Sequence, residues 1–370
     1  MSGAFPALPE GCEPACPGCR HRELSAAQSG ARKSAWLARA LAPWADRLEA
    51  LRAPPPAERW AYRDKVTLTA EWAAGRWRLG LRRRGEVVDI PYCPVHSPRT
   101  RAMVGALTAV LPDAARLPFA FYAQSGRQAA LVVKARAIDD VAWVRDLMPT
   151  LDACGMDGLW LHLNPAAGRR VFAKREWRLL WGQARSHGGD GLWYSVGAFQ
   201  QVLPGLHGAA LDEAEAFLAP GPEAWVIDLY CGAGASLHRW IARRAQTLGV
   251  ESSREAAACA ADNVPAASVL LGHCATRLPQ LRAFAAGAGR RLLYANPPRT
   301  GLEPAVLDWI ARDCRPQWLA YLSCSAGTLA RDLARLCAQG FTVERLLPFD
   351  FFPQTHHVEN IVLLKRRNNP

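Results

Sequence analysis

The sequence predicts an α/β protein in which a mostly parallel sheet with helices on both faces fills the C-terminal half, behind a mixed β-rich region and a cysteine-bearing N-terminal arm. Three observations predict it. From about Gly191 apolar strand-like runs alternate with helical ones, the pattern of a parallel sheet covered on both faces. Between Trp60 and about Trp181 short β segments follow one another, separated by turn residues. Cys12, Cys16 and Cys19 crowd into the arm, ahead of one long helical stretch.

The elements follow in order. Residues 25–52 carry apolar residues at helical spacing and read as one helix, stopped by Pro54, Pro55 and Pro56. KVTLTAEW, WRLGLRR, AALVVKAR and GLWLHLN read as strands, and Arg82, Arg83 and Arg84 with Arg169 and Arg170 add exposed positive charge among them. Then come the helix VLPGLHGAALDEAEAFL, the strand AWVIDLY, the strand LGVE, the helix SREAAACAADN, the strand segment RLLYANPP, the helix EPAVLDWIARD, the strand segment WLAYLSC, the helix TLARDLARLCAQG and a last strand, ENIVLLKR. The expected division is 1–57, 58–190 and 191–370.

Composition narrows the function. The chain has 370 residues, 50% of them hydrophobic, enough for a large core and too apolar for a disordered protein. Lys plus Arg number 45 against 33 acidic residues, a net charge of +12 that attracts polyanions, nucleic acid first among them. No apolar run reaches the roughly 20 residues of a membrane span, and the start lacks the pattern of a signal peptide. A cytoplasmic protein, monomeric and free of membrane, is expected. Eleven cysteines in a reducing compartment are thiols or metal ligands rather than disulfides.

Every candidate site residue of the C-terminal half falls at a strand end, where open α/β sheets bind ligands. The turn DLYCGAG holds Asp228, Tyr230, Gly232 and Gly234; it lacks the third glycine of a dinucleotide fingerprint and suits an adenosine-type ligand without a pyrophosphate. Asp228 either anchors this turn or lies near the ligand. Glu251, about 20 residues on, stands where an acid typically binds ribose hydroxyls. NPPRTGL brings Asn296 and Arg299, LSCS brings Cys324, and PQTHHVE brings Glu359.

These four segments, in this order, resemble the RNA uracil-5 methyltransferases, which make 5-methyluridine in tRNA and 23S rRNA. The resemblance covers the C-terminal half, with weaker likeness in YRDKVTL and YCPVHSP. It implies a Rossmann-like class I methyltransferase domain, S-adenosylmethionine as cofactor, Cys324 as nucleophile on uracil C6, Glu359 as base and Arg299 beside them. It places Gln201 of AFQQVL at the cofactor, with Gln200 the neighbouring choice. A free thiol titrates near pH 8.5, so Arg299 or the start of the following helix is expected to lower the Cys324 value.

The chain departs from the family pattern at Cys274, where an Asp near the adenine is usual, and at Leu203 and Ser325, where Asn is usual. Asn296 in place of Asp points to the short branch acting on 23S rRNA, as does a start with no room for an extra N-terminal β-barrel. tRNA is the alternative substrate.

Cys12, Cys16, Cys19 and the distant Cys93 make a four-thiolate set, which zinc and iron–sulfur clusters both use. Three cysteines plus one suit a cluster better than the paired CxxC of a zinc ribbon. The resemblance implies a 4Fe-4S cluster, with Cys12 at an unusually short spacing. Arg63 and Lys65 fall in a segment like the family's RNA-facing region and are expected, with Arg82 to Arg84, at phosphates. Two other readings stand beside this one: methyl transfer to an exocyclic base nitrogen, which has no need of Cys324, and an RNA-binding protein on a methyltransferase scaffold.

Overall fold

Helix α1 (Ala26–Ala40) opens on a reciprocal capping box in which Ser25 accepts from the Gln28 amide and the Gln28 side chain accepts from the Ser25 amide. The continuous helix expected over 25–52 stops at Ala40. Pro43 lacks the amide an interior helical turn needs, and the chain tightens into a 3-10 turn at Ala42–Arg47 before running on extended. The computed structural model describes residues 8–168, 170–173, 176–287 and 289–367; Arg169 lies outside them.

Contacts divide the chain into two units, one of residues up to Leu24 with Pro55–Val202, the other of Ser25–Pro54 with Leu203–Pro370. The three segments expected from the sequence are therefore redrawn. The arm's cysteines go with the β-rich unit, whereas α1 goes with the C-terminal one, because Leu37 and Leu41 are buried in its core. The boundary before the C-terminal half falls at Val202 rather than 190.

The N-terminal unit is built on strands β1 (Lys65–Ala73), β2 (Arg76–Arg83), β3 (Glu86–Asp89), β4 (Phe119–Ser125), β5 (Gln128–Val133), β6 (Gly158–Leu163) and β7 (Trp177–Gly182). They form one sheet in the order β3-β2-β1-β4-β5-β6-β7, antiparallel except for β5 and β6. A parallel pair needs a crossover, and helix α3 (Val144–Ala153) supplies it. Helix α2 (Pro98–Val110), capped by Ser97, shares the core: Met103, Val104 and Leu107 meet Trp77, Leu79 and Leu131. A two-strand pair, β8 (Ser186–His187) with β9 (Trp193–Tyr194), completes the unit.

The C-terminal unit carries helix α4 (Pro204–Leu218), then β10 (Ala224–Leu229), α5 (Ala235–Ala242), β11 (Gln246–Glu251), α6 (Arg254–Asn263), β12 (Ser268–Leu271), α7 (Leu278–Ala286), β13 (Arg290–Ala295), α8 (Pro304–Trp309), β14 (Trp318–Ser323), α9 (Ala326–Ala338), β15 (Phe341–Phe349) and β16 (Glu359–Arg366). The strand order is β12-β11-β10-β13-β14-β16-β15, with β10 to β14 parallel and β15 and β16 antiparallel. Successive strand residues point to opposite faces, and both faces are buried. Ile227, Leu229, Leu293, Leu319 and Tyr321 meet α1, α8 and α9 on one face; Val226, Leu292, Tyr294, Ala320 and Leu322 meet α4, α5 and α6 on the other.

A buried ion pair fastens α1 to this unit. Lys33 Nζ donates to Asp350 Oδ1 at 2.5 Å and to the Phe352 carbonyl at 3.1 Å, with both charged side chains out of solvent. Ser29 donates to the Pro353 carbonyl. Removing one partner of such a pair strands a buried charge, at a cost of about 3–5 kcal/mol. The helix thereby fixes the segment between β15 and β16, which ends at Glu359. Among the described residues no helix is long and apolar enough to cross a membrane.

Candidate active site

The glycine turn after β10 needs backbone that other residues resist. Gly232 has φ +58° and Gly234 φ +95°, and Tyr230 itself adopts φ +62°. A side chain at Gly232 would meet nothing within 4 Å, so the space above the turn is open for a ligand; one at Gly234 would press on Val264 and Ala260 of the adjoining helix. Asp228, expected among the cofactor contacts, lies fully buried beneath the turn and accepts from Trp240 Nε1 at 2.7 Å, tying α5 to β10. Burial pushes its carboxyl up to about 7.

Glu251 ends β11 facing the same turn. Its Oε2 accepts from the Gly232 amide at 3.0 Å and its Oε1 from the Ser253 amide at 2.6 Å. Asn296 follows β13, and its amide donates to the Leu229 carbonyl, joining two motif ends. Gln201 belongs by its contacts to the N-terminal unit. There Gln200 packs its amide against Gly126 and Gly188.

Cys324 sits half-buried between β14 and α9. The antiparallel register opposes Ser323 to Asn360, which sets the following Cys324 beside Glu359 at the start of β16. Arg299, exposed in the loop after β13, lies close enough for its charge to act on both the thiol and Glu359. The three expected chemical residues therefore converge at one edge of the sheet, past the carboxyl ends of β13 and β14 and at the amino end of β16.

Their electrostatics correct one expectation. The Cys324 thiol is held above its ordinary value, by burial first and by the charge of Glu359 next; Arg299 pulls it down without prevailing. Glu359, 5% exposed, is pushed up to about 7 by burial, against the pull of Arg299. A carboxyl near neutrality is suited to taking and giving a proton.

Asp332 on α9 escaped the sequence reading. Fully buried, its Oδ2 accepts from the Leu302 amide at 2.9 Å and the Tyr321 hydroxyl at 2.7 Å, while Thr328 donates to the Arg299 carbonyl. Together they bind the Arg299 loop to α9 and β14. Gly301, at φ +77°, lets that loop press onto Asp332. Ser325, read only as a departure, caps α9 by accepting from the Thr328 amide, a role Ser and Asn share. Leu203 is buried at the start of α4, which has no side-chain cap.

In the N-terminal unit Cys12, Cys16, Cys19 and Cys93 line one pocket walled by Trp60, Ile90 and Val95. Gly11 lies directly on the Tyr92 backbone, and Arg22 holds the loop by donating to the carbonyls of Cys16 and Pro14. Burial raises the thiols of Cys12, Cys16 and Cys19, the last to about 12, and the neighbouring cysteines add to the rise. Among the described residues no three His, Cys, Asp or Glu side chains form a ready-made group for a single metal ion.

The expected RNA contacts are partly spoken for. Lys65 is half-buried, donates to the Ala198 carbonyl and lies over the Phe199 ring at 4.3 Å; desolvation lowers its ammonium to about 8. Arg82 donates to Gly85 and Arg83 to Ala15, so these cations brace the β2–β3 turn and the cysteine arm. Arg84, at φ +53°, forms that turn.

The tRNA (Uracil-5-)-methyltransferase family model matches residues 284–367, the stretch from the strand before Asn296 through Cys324 to the last strand. The 23S rRNA (uracil(747)-C(5))-methyltransferase RlmC of Edwardsiella ictaluri is 26% identical over 370 residues, covering 94% of this chain and 92% of its own. The RlmC of Citrobacter koseri is 26% identical over 85% of this chain and 88% of its own. These matches make the chain similar to the RNA uracil-5 methyltransferases, with the RlmC proteins among its relatives. The Pyrococcus abyssi tRNA (uracil-54, C5)-methyltransferase, solved with S-adenosyl-L-homocysteine, superposes with a TM-score of 0.71 at 19% identity, over 95% of this chain and 86% of that one. The shared fold is that of class I methyltransferases. Among RNA uracil-5 methyltransferases the chain is RlmC-like.

Proposed function

We propose that this methyltransferase forms 5-methyluridine in 23S rRNA through a covalent bond from Cys324 to the target uracil. The observation that carries this is the convergence of Cys324, Arg299 and Glu359 beside the open glycine turn. Gly232, Glu251 and Asn296 would hold S-adenosylmethionine at the turn, where it would supply the methyl group. Uracil C5 is a poor nucleophile until a thiolate adds to C6 and drives electron density onto C5 and O4. Cys324 makes that bond, Arg299 stabilises the negative charge, and C5 takes the methyl group. Glu359 then removes the C5 proton, and the C6–S bond breaks to restore the ring and the thiolate. The base must leave its stack to reach Cys324, so a loop uridine is the natural target.

The rRNA assignment is supported by the near full-length likeness to RlmC proteins, the cysteine arm and the net charge of +12. The pocket of four thiols suits a 4Fe-4S cluster bound by Cys12, Cys16, Cys19 and Cys93, joining the arm to the β-rich unit. Iron and acid-labile sulfide in the anaerobically purified protein are its expected signature; a colourless zinc protein refutes it. Mapping 5-methyluridine in rRNA and tRNA from cells with and without the gene tests the substrate. A site lost from 23S rRNA is expected, and loss confined to tRNA overturns the assignment. With 5-fluorouridine in the target RNA, where C5 carries fluorine instead of a removable proton, wild type is expected to remain covalently attached. The Cys324→Ser variant is expected to form no such adduct and to lose at least 1,000-fold in methyl transfer.

A further inference from the structure

The strand ends lie along a line in the order β14, β13, β10, β11, β12, marked by Cys324, Asn296, Gly232, Glu251 and Cys274. Neighbouring strands stand about 4.8 Å apart, so the reacting end at β14 and the ribose acid at β11 are roughly 14 Å apart. A nucleoside whose sulfonium faces Cys324 and whose ribose meets Glu251 must lay its base beyond β11, over the end of β12. That end is joined to β11 by the Gly272 amide, which donates to the Glu251 carbonyl. It continues into the turn that begins at Cys274.

An adenine there presents an exocyclic amine that needs an acceptor. Cys274 is 1% exposed, too deep to present one. The neighbouring carboxylate belongs to Glu303, which the family motifs leave unassigned. It occupies the N-cap of α8, yet its side chain caps nothing in its own helix. Instead it reaches across to the β12 turn, where Oε2 accepts from the Ala275 amide at 2.6 Å. Its Oε1 lies 3.8 Å from His273 Nδ1, and the side chain keeps 30% exposure. Tyr230 and Cys274 stand close enough for its charge to raise both their hydrogens' affinities.

We infer that Glu303 selects adenine in the cofactor: the Ala275 amide fixes one carboxylate oxygen so that the other accepts the exocyclic amine. The inference rests on the cofactor placement proposed above. A base that presents a carbonyl oxygen instead of the amine sets oxygen against oxygen, so hypoxanthine is rejected. A glutamine at the same place offers an amide N–H to that carbonyl and weakens the distinction.

Calorimetric titration of the full chain with S-adenosylhomocysteine and with S-inosylhomocysteine tests this without RNA or turnover. Wild type is expected to prefer the adenosyl compound at least tenfold. In Glu303→Gln the preference should fall below threefold, with S-inosylhomocysteine bound as well as by wild type or better. Glu303→Asp, which keeps an acid at the start of α8 but is one methylene shorter, should also lose the preference. An equal loss of affinity for both compounds in both variants would show that Glu303 only shapes the β12 turn and would overturn the inference, as would an undiminished preference. Failure of wild type to bind either compound would overturn the cofactor placement as well, which separates the two failures.

Discussion

At the residue scale the site is a balance of charge around one thiol. Burial and the Glu359 carboxylate oppose ionisation of Cys324, and Arg299 favours it. Removing the carboxylate charge therefore eases ionisation: Glu359→Gln is expected to speed iodoacetamide labelling of Cys324 severalfold at pH 7.5, while methyl transfer stalls with RNA still attached. The same carboxyl leaves a mark on stability. Its folded value of about 7 lies above the ordinary 4.5, so the folded state holds the proton more tightly. No penalty applies below the unfolded value; it grows as pH rises from there through the folded value, to a ceiling of about 3 kcal/mol. Glu359→Gln should accordingly raise the melting temperature at pH 8 and leave it unchanged near pH 4. A gain independent of pH would mean that the carboxyl is not the origin. These residues were legible in the sequence because each stands in a motif at a strand end. The direction of the Cys324 shift was not: it depends on how deeply the thiol is buried and on its distance to Glu359, which the packing and the antiparallel pairing of β14 and β16 set.

At the scale of elements the loops at the strand ends are held by side chains far away in sequence. Asp332 is the clearest, since its one oxygen takes both the Leu302 amide and the Tyr321 hydroxyl. Asp332→Ala leaves two buried donors without an acceptor, a loss of about 2–4 kcal/mol, and frees the loop that carries Arg299. Its turnover number at 15 °C should fall tenfold or more, while affinity for S-adenosylhomocysteine, bound at the glycine turn, stays within twofold. A fall in affinity equal to the fall in turnover would instead point to general unfolding. The sequence could not reveal this partner, because a buried Asp inside a helix looks like any exposed acid until its contacts 30 residues away are known. The same limit hid Glu303 and the long strand β15. It also hid α2 and α3 within the β-rich region: α2 has no distinct apolar stripe, and Pro149 interrupts the pattern of α3. Pro43, by contrast, was a visible reason to end α1 early.

At the scale of the whole molecule the chain crosses between its units three times, after Leu24, Pro54 and Val202, which sequence order conceals. It begins in the β-rich unit with three cysteines, crosses to lay α1 on the C-terminal sheet, and returns at Pro55 to supply Cys93. The four thiols thus lie within one unit, whereas Gly232, Glu251, Asn296 and Glu303 all belong to the other. A cross-link joining distant chain segments stabilises the folded state by restricting the unfolded one. Losing a cluster ligand should therefore fall on the β-rich unit and spare the nucleoside site. Cys19→Ser is expected to lose its iron and to become sensitive to proteolysis between residues 8 and 24. Calorimetry should still give an affinity for S-adenosylhomocysteine within threefold of wild type, since α1 is fastened to the C-terminal unit by Lys33 and Asp350 rather than by the arm. If nucleoside affinity instead fell together with iron content, the cluster would be a determinant of the cofactor site, and the separation of the two units in function would be wrong.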